Sequence, residues 1–464
     1  MSEVELAAID LPEFGQPTVQ PAVPAATYAA RVAATAGRAA AAGLDALVVY
    51  ADREHFANLA YLTGYDPRFE EALLILAPGR TPALLVGNEG ESYAAISRVE
   101  LDVVRYQSFS LLGQARDASP PLDEILRDHG IAGGGRFGVV GWKYFGAGEA
   151  DAPETWLDAP GFIVDALRRI AGDPARVVNE TVLFMDSSIG LRAINDVDQL
   201  ACFEFAACHT SDAVRRALVA LEPGLSEFDL VRRMGLIGLP LSCHLMLSSG
   251  PRAAIGLCSP SSRVIEAGDP FTTAYGVWGA LNCRAGFVVA DAAGLPREIG
   301  DYVDRLVAPY FAAIAEWYET VGIGVPGGAL LDVIDRRLGD PFFGIGLNPG
   351  HLLHLDEWVH SPIYRGSTEM LKSGMALQVD VIPATRSRYF TTNIEDGIAL
   401  ADDALRESFA AGYPEAWARI QARRAFMSEA LGIDLKPEVL PFSNIPAYLP
   451  PFLLDPGRAM RVRR

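Results

Sequence analysis

The chain predicts a mixed α/β (α+β) protein of two domains, and three observations carry that prediction. At 464 residues it exceeds what one ordinary core covers. Its first part alternates apolar strands with helical segments, the pattern of an α/β layer. Its later part, 268–396, sets Gly268-Asp269, Gly276, Gly286, Gly350-His351, Gly374-Met375, Asp380 and Glu395-Asp396 in apolar, β-branched sequence. A site built there draws on several separated strands.

Taken in order, residues 1–24 are Pro-rich and without periodicity, which predicts an extended N-terminal arm. Residues 27–42 are Ala-rich and studded with Arg, a helical composition that Gly43 stops. Ala46-Leu47-Val48-Val49-Tyr50 is an apolar strand, and 72–76 and 82–86 are two more. A further strand at 135–140 and a helix at 163–169 complete a first domain over 25–187. A boundary at about Ser188 opens a second domain, 188–464. There 197–221 carries apolar residues at helical spacing, and Pro223-Gly224 ends it. Ser226, followed by Glu227 and Asp229, is an N-cap with acid in the first turn. Residues 301–319 and 327–338 predict two more helices, and 400–431 another helical stretch. In the extension 432–464, Pro441, Pro446, Pro450 and Pro451 exclude a regular helix or central strand. The apolar residues between them predict a segment strapped over the surface or onto a partner subunit. The basic end, 458–464, is expected to fray.

Composition narrows the function. A formal charge of −19 repels polyphosphate, so nucleic acid is excluded as a partner. No run of about 18 uncharged apolar residues occurs, and 1–24 lacks a basic stretch before an apolar one, which predicts a cytoplasmic protein with no membrane partner. The five cysteines, Cys202, Cys208, Cys243, Cys258 and Cys283, are odd in number and form no C-x-x-C pair, against a zinc ribbon or disulfide scaffold.

The motifs carry a resemblance. Gly268-Asp269 before an extended apolar run, then Gly350-His351, then Gly374-Met375 through Asp380, then Glu395-Asp396 resemble the pita-bread fold of creatinase, prolidase, aminopeptidase P and methionine aminopeptidase. Asn58-Leu59-Ala60-Tyr61-Leu62-Thr63-Gly64-Tyr65 resembles the N-terminal domain of the creatinase and prolidase branch. The resemblance implies a curved antiparallel sheet with paired helices behind a creatinase-like α/β domain. It also implies a homodimer, in which the loop after Tyr65, with Arg68 and Phe69, reaches the partner's site to read substrate.

In metal-dependent relatives two Asp, one His and two Glu hold a pair of divalent cations. Carried over, the His falls on His351, the first Glu on Asp380 and the second on Glu395. The two Asp positions fall on Ala274 and, allowing for a shorter turn, on Cys283; a further substrate-contacting His falls at Leu257-Cys258. Asn195 stands where relatives commonly carry Lys. The paired-metal set is thus incomplete, and no cofactor is favoured, although Cys283, His351, Asp380 and Glu395 are all zinc-ligand types and admit a single zinc.

The expected catalytic residues are His351, Asp380, Glu395 and Cys283, with His351 as proton carrier and Cys283 as a possible nucleophile. His354, His244, Cys258, Tyr275, Trp278, Arg68 and Phe69 are expected to bind substrate. The leading expectation is a creatinase-like enzyme acting on a small non-peptide substrate by C–N hydrolysis, elimination or rearrangement, and not a standard aminopeptidase. A mononuclear zinc hydrolase and a non-catalytic binding protein are the alternatives.

Overall fold

The computed structural model describes residues 3–463. The chain forms two compact units, one of residues 23–192, the other joining the described part of 1–22 to everything from 193 onward.

The first strand, β1 (Val4–Ala8), belongs to the larger unit. The smaller unit begins with helix Ala25–Ala41, after which Gly43 takes a φ of +72° and turns the chain into β2 (Ala46–Ala51). With β3 (Ala72–Leu76), β4 (Ala83–Val86), β5 (Asp102–Arg105), β6 (Phe137–Val140) and β7 (Val177–Asn179) it builds a six-stranded mixed sheet ordered β5-β4-β3-β2-β6-β7. The central strands are apolar without alternation because both faces are covered. Val48, Tyr50, Leu73, Ile75, Leu85 and Val139 pack with Ile163, Leu167 and Ile170 of helix Gly161–Ala171, whose spacing places them on one helical face.

The larger unit is built on a seven-stranded antiparallel sheet of β8 (Met246–Ser249), β9 (Pro270–Val277), β10 (Ala280–Phe287), β11 (His351–Leu352), β12 (Ala376–Asp380), β13 (Asn393–Leu400) and β14 (Val439–Pro441). Its order is β11-β12-β13-β10-β9-β8, with β14 beside β13. Trp278-Gly279 make the turn between β9 and β10; Gly279 has φ +92°, and a Cβ there would run into the ring of Phe203. That ring comes from helix Val197–Ala220, whose Asp196 caps Gln199 N. Ser226 caps the next helix, Glu227–Arg233, in a reciprocal box with Asp229. The helix expected at 301–319 starts as a π-turn, Val303–Val307, and becomes α only over Ala308–Thr320.

Three expectations change. The arm of 1–24 is not wholly irregular, because β1 pairs along its length with a last strand, β15 (Arg458–Val462). The basic end is therefore paired rather than frayed over 458–462, its last residue, 464, lying outside the described residues. The Pro-rich segment is not strapped over the surface: residues 439–453 are buried throughout. Arg284 Nε donates to Tyr448 O at 2.7 Å, Asn282 Nδ2 to Ser443 Oγ at 3.1 Å, and Ala447 N to Asp396 Oδ2 at 2.9 Å, so the segment is bonded to one face of the sheet.

Candidate active site

The opposite face carries the site. Antiparallel register aligns Met246, Ala274, Cys283, Glu395 and Asp380 in one row across β8, β9, β10, β13 and β12. Directly opposed residues share a face, so all five side chains point the same way. Asn282 and Asp396, one residue along, point to the other face. His351 stands opposite Gln378, two positions from Asp380 on β12, and reaches the row's acidic end. Its Nε2 lies 3.8 Å from both Asp380 Oδ2 and Glu395 Oε1.

A third carboxylate completes the cluster. The chain after β11 turns back on itself, with Leu352 N donating to His360 O at 2.7 Å and Val359 N to Leu352 O at 3.0 Å. This return lays Glu357 Oε1 3.0 Å from His351 Nε2 and stacks Trp358 on the imidazole, centroids 4.1 Å apart and planes 20° from parallel. His351 Nδ1 faces Leu352 O at 3.2 Å, while Nε2 is buried among the three carboxylates without meeting any of them in hydrogen-bond geometry. Glu357 was not among the residues expected to act, and its only sequence signal is position, six residues after His351, with no periodicity across the turn.

Charge follows from this geometry. Burial alone would lower the basicity of His351, but the charge and hydrogen bond of Glu357, with Glu395 and Asp380 behind it, raise it well above its ordinary value. Burial pushes Asp380 up to about 6, against the pull of His351. Burial and the neighbouring Asp380 charge push Glu395 well above the carboxylate range. The two carboxyls therefore sit in unlike environments, Asp380 drawn toward its charged form by His351 and Glu395 pushed toward its neutral form by burial and by the Asp380 charge. Asp380 Oδ1 is buried without a hydrogen-bond partner, so an acceptor remains open to a ligand.

The other expected residues scatter. Cys283 lies in the row, accepting from Asn393 Nδ2 at 2.9 Å; burial and then Glu395 push its thiol up, against an activated nucleophile. Tyr275 neighbours Ala274 along β9 and so faces away from the row, opposite Asn282. Trp278 sits in the β9–β10 turn. His354 is buried edge-on against Phe203, 5.2 Å between centroids. His244 is exposed just before β8, its Nε2 3.1 Å from Leu257 O, and Cys258 lies in the chain after β8, its carbonyl accepting from Leu247 N. Neither joins the cluster. Arg68 and Phe69 belong to the smaller unit: Arg68 adopts φ +59° and donates from Nε to Tyr93 Oη at 2.8 Å, and Phe69 is 54% exposed. Cys243 packs on this face with Ala274, Leu281 and Cys283.

For a paired-metal centre, Ala274 offers no donor atom, and the Cys283 sulfur already accepts from Asn393 Nδ2. A single cation does fit in composition: one donor atom each from His351, Asp380 and Glu395 lie within 4.8 Å of one another.

Residues 31–148 match the Creatinase/Prolidase N-terminal domain. Among curated proteins no sequence matches. The structure is similar to the prolidase of Thermococcus sibiricus, at 19% identity and a TM-score of 0.61, over 81% of this chain and 95% of that one. It is also similar to the dipeptidase PepE of Mycobacterium ulcerans, at 18% identity and a TM-score of 0.58, over 83% and 95%. The aminopeptidase PepP of Pseudomonas aeruginosa aligns at 18% identity and a TM-score of 0.52, over 82% and 93%. The class is therefore a two-unit protein with a creatinase/prolidase-type N-terminal domain and the pita-bread fold of prolidases and X-Pro aminopeptidases. Within that class this chain has Ala274 and Cys283 in the acidic row, and at these identities the likeness speaks for fold rather than activity.

Proposed function

We propose that the protein is an enzyme acting on a small non-peptide substrate by acid–base chemistry at Asp380, Glu395 and His351, without a dinuclear metal centre. The observation that carries this reading is the row itself, where alanine and cysteine occupy two positions beside a compact, buried His–carboxylate cluster. Two carboxyl groups of unlike environment divide the roles of acid and base. In C–N hydrolysis, Asp380 takes a proton from water as its oxygen bonds to carbon, and Glu395 gives its proton to the departing nitrogen as the C–N bond breaks. In an elimination the same pair removes a proton from carbon and returns one to the leaving group. His351, clamped by Glu357 and covered by Trp358, supplies the positive charge that keeps Asp380 ionised. The acids favour a cationic substrate, and Trp358 favours some apolar bulk.

A second reading rests on the three converging donors, which would hold one divalent cation supplying Lewis-acid polarisation of a substrate carbonyl. Metal analysis of protein purified without added cations separates the two. The decisive assay screens amines, guanidines and betaines for turnover, with His351→Ala as the test. A loss of about 10²-fold or more with unchanged folding supports the proposal; undiminished turnover overturns it, and saturable binding without turnover replaces it with a binding protein. The reading also takes the protein as a homodimer, in which Phe69→Ala raises KM while leaving thermal stability unchanged.

A further inference from the structure

Away from this site, a cavity of about 520 Å³ lies in the larger unit, between arm residues 13–16, helix Val197–Ala220 and the end of helix Glu227–Arg233. That volume is in the range of small-molecule pockets. Three of its lining side chains are arginines, Arg215, Arg216 and Arg233, in a chain of formal charge −19. Their pairings differ. Arg215 lies 3.5 Å from Glu13, and Arg233 lies 2.9 Å from Glu222. Arg216 donates instead to neutral acceptors, Gln16 Oε1 at 3.1 Å and Met234 O at 3.2 Å. Another acid in the lining, Asp212, accepts from Asn444 Nδ2 at 3.1 Å.

A half-buried guanidinium facing a cavity with mostly neutral partners is suited to an anion, and its planar fork matches carboxylate or phosphate oxygens in pairs. We propose that this cavity binds a small polyanion bearing phosphate or carboxylate groups, with Arg216 as its main contact and Arg215 and Arg233 at the rim. Because Arg216 also holds Gln16, an occupant would fasten the N-terminal arm to helix Val197–Ala220 and stabilise the larger unit by mass action.

The test is thermal unfolding of the full chain in rising inorganic phosphate or citrate, against sodium chloride at matched ionic strength. A saturable rise in Tm with either anion, absent in chloride, is expected; phosphate alone points to a phosphoryl ligand, citrate alone to a polycarboxylate. Arg216→Ala should raise the half-saturating concentration by about ten-fold or more. Arg233→Ala, at an exposed position, should raise it less and decides the matter if Arg216→Ala does not fold. Equal behaviour in all three salts, or an unchanged anion response in the variants, overturns the proposal.

Discussion

Gly350 has φ +123°, and a Cβ there would stand 2.7 Å from Gln378 O and 3.1 Å from both Ile363 Cδ1 and Trp317 Cζ2. The residue before His351 therefore admits no side chain without moving the strand that aims the imidazole. Gly350→Ala should cost about 2–4 kcal/mol in urea denaturation, from strain and overpacking together. A different balance holds at Glu204, which lies between Arg419, at 2.6 Å, and Arg423, at 2.8 Å. Burial opposes its ionisation, but Arg423 and Arg419 outweigh that and hold its carboxyl below the ordinary range. A depressed carboxylate contributes stability above its unfolded value and loses it as pH falls through the folded one. Glu204→Gln should thus cost about 3–5 kcal/mol at neutral pH. The gap to wild type should close as pH drops below about 4.5, as denaturation across a pH series would show. Such residues differ in legibility. His351, Asp380 and Glu395 were reached through the family resemblance carried by Gly350-His351, Gly374-Met375 and Glu395-Asp396. Glu357 and Glu204 could not be picked out, since their partners are set by a chain reversal and by helices more than two hundred residues apart.

At the scale of elements, the sheet has two working faces, and sequence revealed one. The alternation that puts Cys283, Glu395 and Asp380 on one side puts Asn282, Arg284 and Asp396 on the other, where Arg284 Nη2 meets Asp396 Oδ2 at 2.8 Å with both groups 1% exposed. Asp396 also accepts from Asn282 and from Ala447 N, so this ion pair is the anchor of the Pro-rich segment. Asp396→Asn leaves Arg284 buried and uncompensated and should cost about 3–5 kcal/mol. It should also speed hydrogen exchange in 442–450 ahead of the rest of the sheet; uniform protection there would contradict the anchoring role. From the sequence, the prolines excluded a helix or central strand in this segment but could not tell a covered path from an exposed one. The apolar residues between them were the available signal, and they mark burial inside the unit.

Over the whole molecule, the larger unit is discontinuous in sequence, and this was the feature least legible beforehand. β1 and β15 come from the two ends of the chain, paired from Val4 opposite Val462 to Ala8 opposite Arg458. A strand whose only partner lies some 450 residues away leaves no local periodic trace, whereas the smaller unit is contiguous and its strand–helix alternation could be read directly. The asymmetry makes a prediction for dissection. Residues 23–192 hold their own sheet and core, so that fragment should fold alone and unfold cooperatively. Deleting residues 1–10 should spare that transition while destabilising the larger unit by about 3 kcal/mol or more, because Val4 and Ile9 lose their burial and β15 becomes an unpaired edge. Differential scanning calorimetry of the full chain, the deletion and the fragment compares the three directly. If removing the first ten residues shifts neither transition, the terminal pairing contributes nothing to the fold, and the larger unit must be stable on residues 11–22 and 193–463.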